Sequence, residues 1–286
     1  MIAIRLIATK LKAYIPLIKT LQTGLLLSTG VAGFMSAHNH LGMGTLLGLM
    51  GSLFLAISGS TILNMWYDFD IDTVMNRTHN RPLAAGKVSR REALWLGLIL
   101  SLGGVSWALA MNARYAMVVF AGLFFDVVVY TLWLKRRTSW SIIWGGISGG
   151  MPILAGRVLA TGQFDLVGLL LMMAILFWIP THILTFNMRY FEDYRLAGVP
   201  TFPSVYGFET TRAIIALSSI IAAASIGVAA VMIGVQAGAL RLMAVLSSGL
   251  LLLSFATVFR PSEQVNYSLF KYASIYMLAS MILLAL

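Results

Sequence analysis

Long apolar runs, each broken by a short polar stretch, repeat along the whole chain. Nine can be drawn, at roughly residues 15–37, 44–64, 93–110, 116–134, 142–160, 166–187, 213–234, 241–259 and 268–286. Each approaches the ~20 residues of helix that cross the hydrocarbon core of a bilayer. No stretch alternates with period two over ten-residue blocks, which argues against a transmembrane β-barrel. The pattern predicts an all-α fold, with residues 1–286 forming one membrane domain of about nine transmembrane helices.

Composition agrees. Hydrophobic residues make up 59% of the 286 and charged residues 10%. The mean hydropathy of +0.87 is far from that of a soluble domain. The chain has no cysteine, which excludes disulfides, thiolate metal sites and a cysteine nucleophile. A net charge of +10 would suit a nucleic-acid partner, but its placement argues for none. With the N-terminus inside, all but Arg114, Arg157 and Arg241 of the 20 Lys and Arg lie on the inner side. That asymmetry is the positive-inside signature of a bilayer-embedded protein. The basic N-terminus resembles a signal peptide, but eight further apolar runs follow, so it reads as a retained first helix. Residues 1–13, with Arg5, Lys10 and Lys12, read as an amphipathic helix on the inner leaflet or as a short disordered tail.

The chemistry concentrates where the second run ends. Asn64, Asp68 and Asp72 are spaced i, i+4, i+8, which puts them on one helix face, while Asp70 points the other way. Carboxylates at a helix C-terminus oppose the helix dipole, and no Lys or Arg lies between Asn64 and Asp72 to neutralise them. An amide oxygen and two carboxylates on one face suit a hard divalent cation such as Mg²⁺, which commonly shares its shell with substrate phosphates. Arg77 and Arg81 follow and can hold phosphate oxygens. The plainer reading is a solvated helix end entering a loop. That loop, about residues 65–92, is the longest in the chain, and Ser89 with Glu92 forms a capping box that starts the third run.

Two other inner segments carry charge. The fourth run closes with Tyr130 to Leu134 and is followed by Lys135, Arg136 and Arg137, which fit either positive-inside topology or an anionic ligand. The sixth run carries Pro180 and His182, then Arg189, Tyr190, Glu192, Asp193 and Tyr194, again placing acids at an inner helix end. His182 is either a ligand contact or a hydrogen-bonded residue of the bundle. The fifth run is dense in glycine around Pro152, which gives close helix approach or room for a bulky ligand. Arg157 lies deep in that run or near its outer end, with Asp165 the nearest acid. Residues 213–286 show nothing beyond packing.

These residues resemble the UbiA superfamily of intramembrane prenyltransferases. The likeness rests on Asn64-x-x-x-Asp68-x-x-x-Asp72 and on the Arg-Thr-x-x-Arg-Pro-Leu element from Arg77 to Leu83. Within it the chain is most similar to the protoheme IX farnesyltransferase branch. That similarity lies in Tyr130 to Thr138, in the glycine run from Gly145 to Gly162, in Pro180-x-His182, and in Asp193-Tyr194 through Pro200. It covers about residues 50–207. Three elements depart from the branch: Leu17-Ile18-Lys19-Thr20 replaces a Thr-Lys-Pro-Arg element, Arg157 replaces a tryptophan, and Pro180-Thr181-His182-Ile183-Leu184 replaces Pro-Pro-His-Phe-Trp.

The resemblance implies a nine-helix bundle in a prokaryotic cytoplasmic membrane, with the active-site loops on the cytoplasmic side. It implies Mg²⁺ held by Asn64, Asp68, Asp72 and Asp193, with Glu192 a further candidate ligand. Arg77, Arg81, Lys135 and Arg136 would then bind the diphosphate of farnesyl diphosphate, beside the aromatic faces of Trp66, Tyr67, Tyr130 and Tyr194. Haem b would be the acceptor and haem O the product, with His182 near the iron and Arg157 or Arg189 near a propionate. The alternatives are another acceptor, such as a quinone precursor or polar lipid, and a transporter or channel using the carboxylates as a cation path. Transporter sites usually lie near the midplane, unlike these acids.

Overall fold

The computed structural model describes residues 10, 12–37, 40 and 42–285. The amphipathic segment expected at 1–13 lies mostly outside them. A 3₁₀ turn at Ile15–Ile18 leads into the helices α1 (Thr20–Met35), α2 (Met43–Tyr67), α3 (Phe69–Val74), α4 (Arg90–Met111), α5 (Ala113–Leu134) and α6 (Ser141–Thr161). There follow α7 (Leu166–Arg189), α8 (Phe191–Leu196), α9 (Phe202–Ile233), α10 (Ala237–Phe259) and α11 (Glu263–Leu284).

Among the described residues, nine long helices match the nine apolar runs, and eight of them are long and apolar enough to cross a membrane. The exception is α1. Lys19 adopts a left-handed conformation at φ 46°, so the helix starts only at Thr20 and has 16 residues. At 1.5 Å per residue it is about 24 Å long, short of a full span. In the other direction, α9 begins eleven residues before the apolar run expected at 213–234. A Thr201–Ser204 capping box starts it, and Gly207, at φ 79°, takes up the kink that lets helix continue. The Ser89–Glu92 capping box forms as expected.

Helices that follow one another pack side by side, and α11 returns to α1, closing a ring. Across this ring α1 packs on α6, where a Cβ on Gly33 would collide with the Ile153 carbonyl and one on Gly156 with that of Gly30. The glycines of α6 thus serve helix contact. Gly146, Gly149 and Gly150 face Leu176, Ile179 and Met172 of α7, and Gly145 faces the Tyr130 ring, so the expected slot for a large flat ligand on this face is filled by side chains.

Near the C-terminal end of α6, at the end of the bundle expected to face outward, Arg157 is 9% exposed. Its Nε donates to both Asp165 oxygens at 2.8 Å, and Nη1 donates to the Ser36 carbonyl at 2.8 Å and hydroxyl at 2.9 Å. Asp165 in turn caps α7 by accepting from Gly168 N at 2.8 Å. Arg157 therefore clasps α1, α6 and α7, and the donors expected for an acceptor propionate are engaged with Asp165 and Ser36 in this structure.

At the opposite end, the one expected from the basic residues to face inward and called the inner end below, the two acidic loops meet. Ile71 and Met75 of the first pack against Val199 of the second, with Tyr194 beside them. Beneath the first loop, Leu83 and Val88 bury against Leu17, Ile62 and Met65, which anchors it to the bundle.

Candidate active site

Backbone bonds Asp68 N to Asn64 O (2.9 Å) and Asp72 N to Asp68 O (2.8 Å) carry helical spacing across the break between α2 and α3. Asn64, Asp68 and Asp72 consequently share one face and are all buried, whereas Asp70 is exposed on the other. Each acid meets a cation from elsewhere in the chain. Lys135 donates to Asp68 Oδ2. Arg81 Nη1 donates to both oxygens of Asp72 at 2.8 Å. Arg136 makes a two-pronged pair with Asp70, 2.7 Å on each side, and also donates to the Tyr67 carbonyl at 2.9 Å. The hydrogen bond from Arg136 is the main reason the Asp70 carboxyl titrates below the usual range.

Asp193, on α8, reaches the same end of the bundle. It is buried and accepts from Asn76 Nδ2 and from the Arg77 backbone N–H, both at 3.2 Å. The Arg77 guanidinium is thus left free of Asp193 and lies over the rings of Phe186 (4.9 Å) and Tyr190 (5.8 Å). Lys135 lies 5.7 Å from the centre of the Tyr130 ring. Glu192 is not brought in: it is exposed and pairs with Arg195 at 2.7 Å, because the turn of α8 that buries Asp193 directs its neighbour outward. Among the described residues no three His, Asp or Glu form a metal-holding group by themselves.

His182 and Arg189 stand apart from the carboxylates, on the side of α7 that faces α11. His182 is stacked between Trp178 (5.0 Å) and Phe270 (4.5 Å), with Ser274 Oγ 3.3 Å from Nδ1. Arg189 lies 4.1 Å over the Tyr267 ring. Tyr267, Phe270 and Ser274 were not foreseen, because they lie in a helix that carries no motif. Their role appears only when α11 returns to α7.

Two further residues join the site. Lys19, held at the left-handed turn before α1, lies in the field of Arg81 and Lys135. Burial and those two cations push its ammonium down to about 8, against the pull of Asp126 and Asp68. Its signal in the sequence was a basic residue within an otherwise apolar start, Leu17 to Thr20. Asp126 lies inside α5 and accepts a hydrogen bond from Ser60 Oγ. A lone acid in the middle of an apolar run was its signal.

The donor set can be tested for a divalent cation. Asp68 Oδ1 is buried without a hydrogen-bond partner; Arg136 Nη2 lies 4.0 Å from it. Burying half a carboxylate unpaired is costly. A hard cation would satisfy that oxygen, and the Asn64 amide, Asp72 and Asp193 supply further oxygens of the right kind. The donors fit Mg²⁺.

A model of the UbiA prenyltransferase family matches residues 25–278. The chain is 42% identical over 200 residues to a protoheme IX farnesyltransferase of Archaeoglobus fulgidus, covering 70% of each. It is 35% identical over 291 residues to a protein of that name from Granulibacter bethesdensis, covering 95% of this chain and 89% of the other. Among solved structures, digeranylgeranylglyceryl phosphate synthase superposes with a TM-score of 0.81 at 18% identity, covering 96% of this chain and 97% of that one. An Archaeoglobus fulgidus UbiA homologue bound to GPP and Mg²⁺ superposes with a TM-score of 0.70 at 15% identity, covering 96% and 100%.

Proposed function

The chain belongs to the UbiA prenyltransferase family, and from that premise we propose that it transfers a farnesyl group from farnesyl diphosphate to a vinyl group of haem b, giving haem O. The relatives' names support this acceptor. The observation that carries the chemistry is the pair of buried carboxylates, Asp68 and Asp72, each held against a cation at one mouth of an apolar bundle.

Asn64, Asp68, Asp72 and Asp193 are the residues that would hold Mg²⁺, which would supply positive charge to the diphosphate. Lys135 and Arg81 neutralise Asp68 and Asp72 without ligand, and with substrate they turn to the phosphate oxygens. Arg77, whose head group lies on aromatic faces with no acidic side chain beside it, and Lys19 add to the same charge. Preorganised cations favour the leaving diphosphate more as the C–O bond weakens, which lowers the barrier. The Tyr130 ring beside Lys135 offers a π-face to the allylic cation. Surrounding helices keep bulk water from that cation. The aromatic ladder of Trp178, His182, Phe270 and Tyr267, with Arg189 at its inner end, suits a flat acceptor carrying carboxylates.

The protein is an integral membrane protein. We place it in a prokaryotic cytoplasmic membrane with both acidic loops inside, from the distribution of its basic residues. The test is expression in a host lacking haem O synthase, followed by mass spectrometry of its haem pool. Appearance of haem O, dependent on Mg²⁺ in purified protein, is the expected result. Diphosphate release triggered by a phenolic or lipid acceptor, with haem b inert, would move the chain to another branch of the family.

A further inference from the structure

The second half of α5, Phe124–Leu134, is a π-helix. Such helices are rare, and this one is long. Its wider turn brings residues five apart to nearly the same face. Asp126 and Thr131 are five apart, and both face α2, where their partners Ser60 and Asn64 are spaced by an ordinary four. The result is a polar ladder between α2 and α5 with three rungs. Lys135 meets Asp68 at the mouth, Thr131 Oγ1 accepts from Asn64 Nδ2 at 2.9 Å in the middle, and Ser60 donates to Asp126 at the deep end. Eight residues separate Asp68 from Ser60, so the deep rung lies about 12 Å further into the bundle.

Asp126 is the one acid among the described residues near the middle of a candidate span. A carboxylate there is expensive, and its position is normally explained by a proton or ion pathway. Ser60 satisfies one of its oxygens. Its other oxygen has no hydrogen-bond partner among the described residues, and no Lys or Arg pairs with it. Lys19 is near enough to be felt electrostatically but makes no ion pair with it. Tyr130 lies one turn toward the mouth, between Asp126 and Lys135. The deep rung therefore combines a free carboxylate oxygen with an aromatic face above it, beyond the residues that hold the diphosphate.

We propose that Asp126 accepts the proton released when the cation on the acceptor is quenched by water. This rests on the reading that the acceptor is a haem vinyl group. The prenyl C–O bond breaks and its electron pair leaves with diphosphate. The vinyl π electrons form the new C–C bond, which moves the positive charge to the vinyl carbon next to the porphyrin. A water oxygen then forms the C–O bond to that carbon. One of its protons passes to the Asp126 carboxylate, leaving the hydroxyl on the product. Carboxylates at the mouth would hold Mg²⁺ when substrate is bound, so the deep one is the base left for this step.

The test uses the full-length purified protein with farnesyl diphosphate and haem b. Product is identified by mass, and diphosphate release is counted separately. Asp126→Asn keeps an oxygen for the Ser60 hydroxyl, so the fold is retained, which thermal unfolding checks. The expected result is a kcat for hydroxylated product lower by about a hundredfold, with KM for farnesyl diphosphate within about twofold and partial recovery in Asp126→Glu. Unchanged kcat in Asp126→Asn would overturn the proposal and leave the farnesyl-transfer reading intact. So would a loss expressed as a raised KM that matches Lys19→Met, since Asp126 would then be only a counter-charge. A wild-type protein that makes no haem O under these conditions removes both.

Discussion

Two ends of the same bundle bury ion pairs, and they differ in how completely the pairs are satisfied. At the outer end, Arg157 spends its guanidinium on Asp165 and Ser36, and Asp165 spends an oxygen on the α7 N-terminus. No partner there is left to exchange. At the inner end, Asp68 has a buried oxygen with no hydrogen bond, Lys135 reaches it from a helix end, and Arg77 rests on rings. A fully used network fixes geometry. A network with an open oxygen and loosely committed cations can take a ligand at little cost, because each cation exchanges one anion for another. The inner end is therefore where chemistry belongs, and the outer end holds three helices together.

The sharpest break of that comparison is at the carboxylates. Asp68→Asn or Asp72→Asn in otherwise intact protein should lower kcat by about a hundredfold or more, since a lost ligand charge removes transition-state stabilisation of several kcal/mol. Thermal stability should fall by less than the catalytic loss, because Asn still accepts from Lys135 or Arg81 although it no longer offsets the charge. Steady-state assays at saturating Mg²⁺ measure it. Full activity in both variants would remove the metal site from this face.

The outer end predicts the reverse pattern. Arg157→Leu leaves Asp165 unpaired and should cost about 2–4 kcal/mol of stability, less than for a wholly buried pair because Asp165 is partly exposed. Its kcat and KM at a temperature where it is folded should match wild type. Denaturation in detergent together with kinetics separates the two quantities. A raised KM for haem b with unchanged stability would return Arg157 to the acceptor site.

The sequence showed the inner site unevenly, for physical reasons. Asn64, Asp68 and Asp72 were legible because helical periodicity is local, and α2 carries it past its own end through Asp72. The cations Arg81 and Lys135 were legible as charges, but their pairing depends on a turn and on the neighbouring α5. Glu192 and Asp193 could not be ranked from adjacency, because one residue of rotation on α8 decides which is buried. The π-helix was invisible, since no residue pattern in Phe124–Leu134 marks its wider turn, and so was the meeting of α11 with His182. The glycines of α6 were legible as close contacts or space, and only the positions of α1 and α7 decide for contact.

A milder effect is expected at Asp70. It is 64% exposed, and its pair with Arg136 competes with water. Asp70→Asn releases Arg136, which already lies 4.0 Å from Asp68, so the positive charge near the site is kept. A change in kcat/KM of roughly threefold or less is expected, far below that of the buried pair on the opposite face. A loss equal to that of Asp68→Asn would mean that the two faces are not distinct.

A last effect, read along pH rather than at one condition, tests whether Lys19 belongs with the loosely committed cations. Its ammonium is held at about 8 by burial and by Arg81 and Lys135, against 10.5 for an ordinary lysine. Without ligand it is charged at pH 7 and mostly neutral at pH 9. A diphosphate favours the charged form, so affinity should fall as pH rises through 8. Folding has the opposite sign: between about 8 and 10.5 the unfolded chain keeps a proton that the folded protein has lost, so stability rises with pH over that window. The expected measurement is a KM for farnesyl diphosphate that increases by up to about tenfold from pH 7 to 9 in wild type. In Lys19→Met it should be high and nearly flat, while the variant's apo stability no longer climbs with pH in that range. A Lys19→Met protein that keeps the wild-type KM profile would assign the alkaline loss to another group and leave Lys19 as a packing residue of the left-handed turn.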